Sequence, residues 1–247
     1  MKKFCFLWLL AAMCLSATEG WGQNTMTVQL SSGELVNYDL SEIEKIVWTN
    51  NSEEDYVDLG LPSGTLWATR NVGAENPEEY GSYLAWGELE VKSTYDWSTY
   101  KYCEGSYKTL TKYNTNYSYG TVDNKTELDV SDDATYMNWG PYWRMPSNDQ
   151  MAELVNSEYT TTTWTTQNGV KGRLITSKSN GNSIFLPAAG YNSYTNPTFA
   201  GISGFYWSRT LDTVETYCAK CLVFNAAGMS VESYNREYGL PVRLVRR

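Results

Sequence analysis

Residues 143–156 read WRMPSNDQMAELVN and carry the clearest helix start in the chain. Ser147 and Gln150 form an S-x-x-Q capping box directly after a proline, a pattern that marks the first turn of a helix. Three apolar residues then recur at the spacing of one buried helix face: Met151, Leu154 and Val155. The sequence therefore predicts a helix over 147–156.

A second helix is predicted upstream, over 131–138. Ser131 suits the N-cap, and Asp132 and Asp133 would follow in the first turn, where the helix dipole favours acidic side chains. The same two carboxylates also leave a metal-binding role open. Capping is the preferred interpretation because it explains both residues without a ligand.

The second half of the chain is predicted to be mostly strand and loop. Short apolar runs bounded by proline, glycine or polar residues are typical of buried strands. The predicted strands cover 183–187, 204–208, 217–224, 229–233 and 240–245. The stretch 192–203 is predicted as a long polar and aromatic loop. Two helices with several short strands and long loops indicate an α+β fold.

A separate hairpin is predicted over residues 23–50. Apolar and polar residues alternate over 26–30, turn residues follow at 31–34, and the strand pattern resumes at 35–38. A lone hairpin is marginal in water, so it must dock on the main domain, on a partner or on another copy of itself. Residues 51–55 are interpreted as the linker that follows.

The first 22 residues have the layout of a secretory signal peptide. Lys2 and Lys3 precede an apolar run of about a dozen residues, and small residues end the segment at Gly22. The run is too short for a membrane span, which needs ~20 apolar residues, and no later segment is apolar enough. We therefore expect export to the periplasm, outer-membrane surface or exterior, with cleavage after Gly22. Lipid attachment at Cys14 is the alternative, against which the bulky Met13 argues.

Composition excludes several classes of function. The chain has no histidine, which excludes Ser-His-Asp and Cys-His catalysis and every histidine metal site. Its formal net charge of −9, with no basic stripe, argues against nucleic acid as a partner. An aromatic content of 15% fits two interpretations. Flat rings suit a binding surface for sugars or protein chains, and they equally suit a loop-rich fold that must cover irregular backbone.

Three cysteines remain after the signal peptide, Cys103, Cys218 and Cys221. In an oxidising compartment an odd count suggests at most one disulfide and one free thiol, and the pairing stays open. Cys218 and Cys221 have CxxC spacing, but their flanks are typical of a strand, where residues three apart point to opposite faces. No second CxxC completes a zinc site. We therefore predict two structural cysteines on a core strand.

Several sequence blocks follow one another in a specific order. They are YVDLGL (56–61), WATRNVGA (67–74), PEEYG (77–81), AWGE (85–88), DDA (132–134), WRMPS (143–147), IFLPAAG (184–190), YWS (206–208) and VRLV (242–245). Through these blocks the chain resembles the Fibrobacter succinogenes major paralogous domain, which is common in exported proteins of Bacteroidota. The resemblance spans 55–247, so we expect residues 56–247 to form one such domain.

That family is similar to C-type-lectin-like and formylglycine-generating-enzyme-like folds. The resemblance implies an α+β domain with two helices, small antiparallel sheets and long loops, preceded here by the short hairpin. It also implies that the first and last strands of the domain pair, here around 66–70 and 240–245.

The resemblance implies a location more firmly than a function. We expect a non-catalytic ligand-binding or adhesion module for a carbohydrate or protein ligand at the cell surface. The alternative is a structural subunit of a surface assembly that docks, or self-associates, through the N-terminal hairpin. An enzyme of the formylglycine-generating type, using Cys218 and Cys221, is the least favoured interpretation, because the loop context of that active site is missing.

C-type-lectin-like folds bind ligands through loops at one end of the domain, so the resemblance directs the search to the second half of the chain. The candidate ligand-binding residues are Asn192, Tyr194, Trp207, Arg209, Tyr234 and Arg236. Tyrosine supplies stacking area, asparagine supplies donors and acceptors, and Arg209 offers a fork for a carboxylate or an acidic sugar. In its Tyr-Trp-Ser block, Trp207 is the member of the set best suited to the core. No metal or cofactor is predicted, calcium included.

One short motif suggests a modification. Asp212-Thr213-Val214 resembles the acidic-residue-plus-hydroxyl motif that Bacteroidota use for O-glycosylation of exported proteins. Thr213 is therefore the candidate attachment site, on a signal of only three residues.

Overall fold

The computed structural model describes residues 25–29, 35–39 and 56–246. The chain divides into two compact units, Met1–Ile46 and Val47–Arg247. In the first unit, strands β1 (Thr25–Gln29) and β2 (Leu35–Asp39) pair antiparallel. The two strands of the predicted N-terminal hairpin are thus present. The predictions for residues 1–22 and 51–55 lie outside the described residues.

The second unit has the α+β composition that the sequence predicts. Over 56–246 its helices are α1 (Ala134–Trp139) and α2 (Asn148–Val155). Its strands are β3 (Tyr56–Asp58), β4 (Leu66–Asn71), β5 (Thr160–Gln167), β6 (Val170–Ser177), β7 (Ser183–Pro187), β8 (Tyr191–Ser193), β9 (Asn196–Thr198), β10 (Ser203–Leu211), β11 (Cys218–Asn225), β12 (Met229–Asn235) and β13 (Arg243–Arg246). None of the helices in the described part of the chain has the length and hydropathy needed to traverse a bilayer.

The strands of this unit form several small antiparallel sheets. Three sheets have three strands each, in the orders β13–β4–β3, β5–β6–β7 and β10–β11–β12, and β8–β9 is a hairpin of its own. In the first sheet Val245 of β13 lies opposite Trp67 of β4. The expected pairing between the beginning and the end of the domain is therefore confirmed.

Helix α2 begins where the capping box predicts. The Ser147 hydroxyl accepts the Gln150 backbone N–H at 3.2 Å, and Gln150 Oε1 accepts the Ser147 N–H at 2.8 Å. Met151 and Leu154 are buried, as the apolar spacing requires. The end of the predicted helix is one residue too late, because Asn156 is the C-cap.

Helix α1 starts later than predicted, and its N-cap is Asp133 rather than Ser131. The Asp133 carboxylate accepts two backbone N–H groups of the first turn and also pairs with Arg144 Nε at 2.9 Å. Asp132 ends a short 3-10 turn and binds Lys112 Nζ instead. Asp133 replaces Ser131 as the cap because one fully buried carboxylate satisfies the helix end and the arginine together.

The hairpin β5–β6 is missing from the predicted elements. Its turn residues, Asn168 and Gly169, have φ of 47° and 85°, as a two-residue primed turn requires. Asn-Gly is itself a strong hairpin signal. The preceding strand is almost entirely threonine, so it lacks the alternation of apolar residues by which the other strands are recognised.

Several tryptophan side chains are buried in the core of the domain. Trp86, Trp143 and Trp207 are fully buried in one apolar cluster. The indole N–H groups of Trp86 and Trp207 donate to the carbonyls of Ser208 and Leu84. These tryptophans therefore cover irregular backbone, which leaves other aromatic residues for the surface.

Candidate functional site

The predicted ligand-binding residues do not form one surface. Asn192 lies on β8, and Tyr194 directly follows that strand. Tyr234 lies beside the same strand, because its ring packs on Phe205 and on Tyr191 of β8. Arg209 follows Phe205 by four residues on β10, about 13 Å away at ~3.3 Å per residue, and lines a separate pocket. Trp207 and Arg236 are buried in the core.

The β8–β9 hairpin displays two aromatic side chains in an unusual backbone conformation. Ser193 pairs with Asn196, so Tyr194 is the first residue of a two-residue connection. Its φ is 54°, and Phe199, just after β9, has φ of 60°. Left-handed backbone is uncommon outside glycine and costs free energy. Yet the two side chains are 65% and 49% exposed, so burial in this domain does not repay that cost.

Backbone hydrogen bonds tie the hairpin to two other segments. The Tyr194 N–H donates to the Tyr95 carbonyl, and the Tyr95 N–H donates back to the Tyr194 carbonyl, both at 2.8 Å. Asn192 and Gly239 exchange a similar pair at 2.8 and 2.9 Å. The Tyr95 hydroxyl then donates to the Tyr83 carbonyl at 2.6 Å. The exposed rings are therefore held by a fixed support.

A bed of half-buried rings lies next to these exposed ones. Tyr191 contacts Phe205, Tyr234 and Tyr238, with ring centroids 5.0, 6.1 and 5.1 Å away. It also approaches Phe199 at 6.1 Å. We call the surface made by these side chains the aromatic face. Its residues are Tyr191, Tyr194, Phe199, Tyr234 and Tyr238.

Two buried oxygen atoms near the aromatic face lack a hydrogen-bond partner among residues 56–246. They are Asn192 Oδ1 and Glu237 Oε2. Glu237 Oε1 accepts from Asn235 Nδ2 at 3.1 Å. Burial raises the pKa of the Glu237 carboxyl to about 7. Buried polar atoms without a partner in the protein are usually hydrogen-bonded to an ordered water molecule.

The structure corrects the prediction for Trp207 and Arg236, because both are inaccessible to a ligand. The Trp207 indole donates to the Leu84 carbonyl in the core. The Arg236 guanidinium donates only to groups of the domain itself, the Tyr100 hydroxyl and the carbonyls of Tyr113, Thr216 and Lys112. A buried guanidinium needs such acceptors, and here they use its hydrogen-bonding capacity.

The candidate modification site has an accessible side chain. Thr213 is exposed, and its carbonyl accepts from Thr115 Oγ1 at 3.3 Å. The neighbouring Asp212 is buried and accepts the backbone N–H groups of Val214 and Glu215. The turn is therefore built by Asp212, which leaves the Thr213 hydroxyl outside the fold. Glycosylation stays a prediction.

The strand setting of the CxxC pair is confirmed. Cys218 and Cys221 are both buried on β11, and the three cysteines of the described chain are free thiols. Burial raises the pKa of the Cys218 thiol to about 12 and that of Cys221 well above its ordinary value. Both thiols are therefore protonated at neutral pH. Among residues 56–246 no three His, Cys, Asp or Glu side chains are grouped as metal ligands.

Two concave pockets stand out in the described part of the chain. One, of about 450 Å³, is lined mainly by apolar side chains together with Ser82 and Glu90. The other, of about 440 Å³, contains Arg209 and is rich in charged groups. Among the described residues that line the first pocket, Glu90 is the single acidic one. This lining therefore lacks the pair of carboxylates that acid–base catalysis by two carboxyl groups requires.

A family described as a domain of unknown function, DUF8237, matches residues 142–245. The matched stretch contains α2, the strands β5–β12, Arg209 and all five residues of the aromatic face. No curated protein and no solved structure matches the chain. The match assigns no activity.

Proposed function

We propose that this protein is an exported, non-catalytic binding module that holds a carbohydrate or protein chain on its aromatic face. The observation that carries the proposal is the placement of Tyr194 and Phe199. Both rings are exposed, both sit on strained left-handed backbone, and the hairpin between them is anchored to the domain. Strain of this kind concentrates at functional sites, and exposed rings on a rigid support are stacking platforms.

The proposal includes a C-type-lectin-like fold of the Fibrobacter succinogenes major paralogous domain type. Its support is the pairing of β4 with β13, the two helices and the small antiparallel sheets. Export is supported by the signal-peptide layout of the first 22 residues. The raised thiol pKa values of Cys218 and Cys221 speak against an enzyme that uses reactive cysteines.

A glycan and extracellular-matrix array with the mature protein identifies the ligand and tests the proposal. Tyr194→Ala and Phe199→Ala should each weaken binding of the ligand found by ~1 kcal/mol or more, about fivefold in Kd. Tyr117→Ala is the matched control, because Tyr117 is 87% exposed and lies outside the aromatic face. Binding that is unchanged in both face variants, with a normal Tm, would contradict the proposal.

One observation favours a second function, that of a structural subunit. Strands β1 and β2 form a two-stranded sheet whose outer edges pair with no other strand in the described ranges. Free edges can accept a strand from another copy, and a lone hairpin is marginal in water. Light scattering across a concentration series should then show assembly that requires residues 25–39. Assembly that persists after their removal would exclude this role.

A further inference from the structure

We propose that the Arg209 pocket is a second binding site, separate from the aromatic face, that takes the carboxylate of an acidic sugar. Its volume of about 440 Å³ lies within the ~300–1,000 Å³ usual for ligand clefts. The lining residues that matter are Glu127, Tyr142, Arg144, Gln150, Arg209 and Arg246. The site does not depend on the function proposed for the aromatic face.

The pocket carries an excess of positive charge. Arg144 Nε is paired with the buried Asp133 at 2.9 Å, and Arg209 Nε is paired with Glu127 at 3.0 Å. Arg246 has no carboxylate partner within residues 56–246. Two of the three guanidiniums are thus neutralised by the protein, and the third is available for an external anion.

The available guanidinium is also held in place. Arg246 lies over the Tyr56 ring, 4.4 Å from its centroid, and 5.7 Å from the centroid of Trp143. Its Nε is buried and has no hydrogen-bond partner among the described residues. Stacking occupies the faces of the guanidinium and leaves the terminal N–H groups on Nη1 and Nη2, which lie in its plane, to bind a planar carboxylate at two points.

The remaining lining adds donors and a ring. Arg144 binds the protein through Nε and Nη2, and Arg209 binds it through Nε and Nη1. Within 56–246, Nη1 of Arg144 and Nη2 of Arg209 donate no hydrogen bond, so both can reach a ligand in the pocket. Tyr142 is 67% exposed at the same pocket, and its ring offers a face on which a sugar can stack. A carboxylate fork beside an exposed ring fits an acidic sugar better than it fits an inorganic anion.

Glu127 shows that the pocket already accepts a carboxylate from the protein. Its side chain is 48% exposed while it pairs with Arg209. An ion pair this exposed contributes little to stability, so Glu127 can leave Arg209 at small cost. We infer that Glu127 competes with the ligand for Arg209 and weakens binding of any anion.

The test is calorimetric titration of the mature protein at low and physiological salt. The probes are D-glucuronate, neutral D-glucose, N-acetylglycine as a carboxylate without a sugar ring, and sulfate. D-glucuronate should bind and D-glucose should not, with affinity falling as salt rises. Glucuronate that fails to bind, or sulfate or N-acetylglycine that binds as tightly, would overturn the proposal.

Three variants make the assignment specific. Arg246→Met keeps an apolar stem against Tyr56 but removes the charge, and should weaken glucuronate binding about tenfold. Glu127→Gln should tighten it severalfold, a gain that an unfolded variant cannot give. Lys171→Gln removes the same charge from an exposed position of β6 outside the pocket and should change little. Wild-type affinity in both pocket variants would refute the site, whatever the aromatic-face variants do.

Discussion

At the scale of single residues, burial decides which charged groups serve the fold and which face solvent. Arg236 and Arg243 are buried and donate to protein acceptors, and burial lowers the pKa of Arg243 to about 10. Arg209 also donates to protein acceptors, but it lines a pocket together with Arg246. Arginines that are equivalent in the sequence thus have different roles, because each role depends on the acceptors that the fold brings within reach.

Glu237 should make the protein less stable as pH rises. Burial raises the pKa of this carboxyl from 4.5 to about 7, so the folded state binds the proton more tightly than the unfolded state. Between these two values the unfolding free energy therefore falls with increasing pH. Glu237→Gln removes this dependence. From pH 5 to pH 8 its unfolding free energy should therefore rise by about 2 kcal/mol relative to that of wild type. Urea unfolding at both pH values measures it.

The control for this measurement is Glu232→Gln, since Glu232 is exposed on β12. It should follow the wild-type pH dependence. If Glu237→Gln keeps the same pH slope as wild type, the carboxyl titrates normally and the assignment is wrong.

Glycosylation of Thr213 is a second residue-scale prediction. The side chain is exposed on a turn that Asp212 stabilises, so an attached sugar meets no packed neighbour. The intact mass of protein from its native host should exceed that of the mature polypeptide, and Thr213→Ala should abolish the difference. A mass equal to the bare polypeptide rules the modification out.

At the scale of elements, helices and hairpins are predictable from the sequence where capping residues, turn residues and an apolar pattern occur together. The capping box and apolar spacing identify α2, while the Thr-rich β5 carries little pattern and the β5–β6 hairpin was missed despite Asn168-Gly169. The loop predicted over 192–203 is wrong in part, because the stretch contains β9 and the last two residues of β8. These strands have three residues each, too few for an alternation of side chains to be recognised.

The β8–β9 hairpin should show a trade-off between stability and binding. A left-handed backbone costs ~1–2 kcal/mol in any residue except glycine, so Tyr194→Gly removes that cost from the folded state. Part of the stabilisation is lost again, because glycine gives up more conformational entropy on folding than tyrosine does. We expect a net stabilisation of about 0.5–1 kcal/mol together with loss of ligand binding. Thermal unfolding and the array-identified ligand test both halves. A destabilised variant would show that Tyr194 is packed rather than strained.

At the scale of the whole molecule, the two proposed binding surfaces are built from segments distant in sequence. The aromatic face joins the β8–β9 hairpin to the region around Tyr234 and Tyr238, and the pocket joins Arg144 to Arg209 and Arg246. Chain segments that are far apart in the sequence therefore supply the stacking rings of one proposed site and the guanidiniums of the other.

Export is the prediction that belongs to the whole chain. The positive residues, apolar run and small residues of the first 22 positions predict cleavage after Gly22. N-terminal sequencing of the protein from its host should therefore begin at Gln23. A retained Met1 would contradict export by this route, and a lipid on Cys14 would establish the alternative anchor.

By itself the sequence determined the α+β class, a helix predicted over 147–156 and formed over 148–155, the strand at 183–187 and the strand setting of Cys218 and Cys221. These follow from periodicity and capping, which act between residues near one another in the chain. Only the tertiary structure decided that Trp207 and Arg236 face inward and that Arg246 joins Arg209 in one pocket. Which face of a strand is buried, and which distant acceptor meets a guanidinium, depends on what packs against it, and no local pattern contains that information.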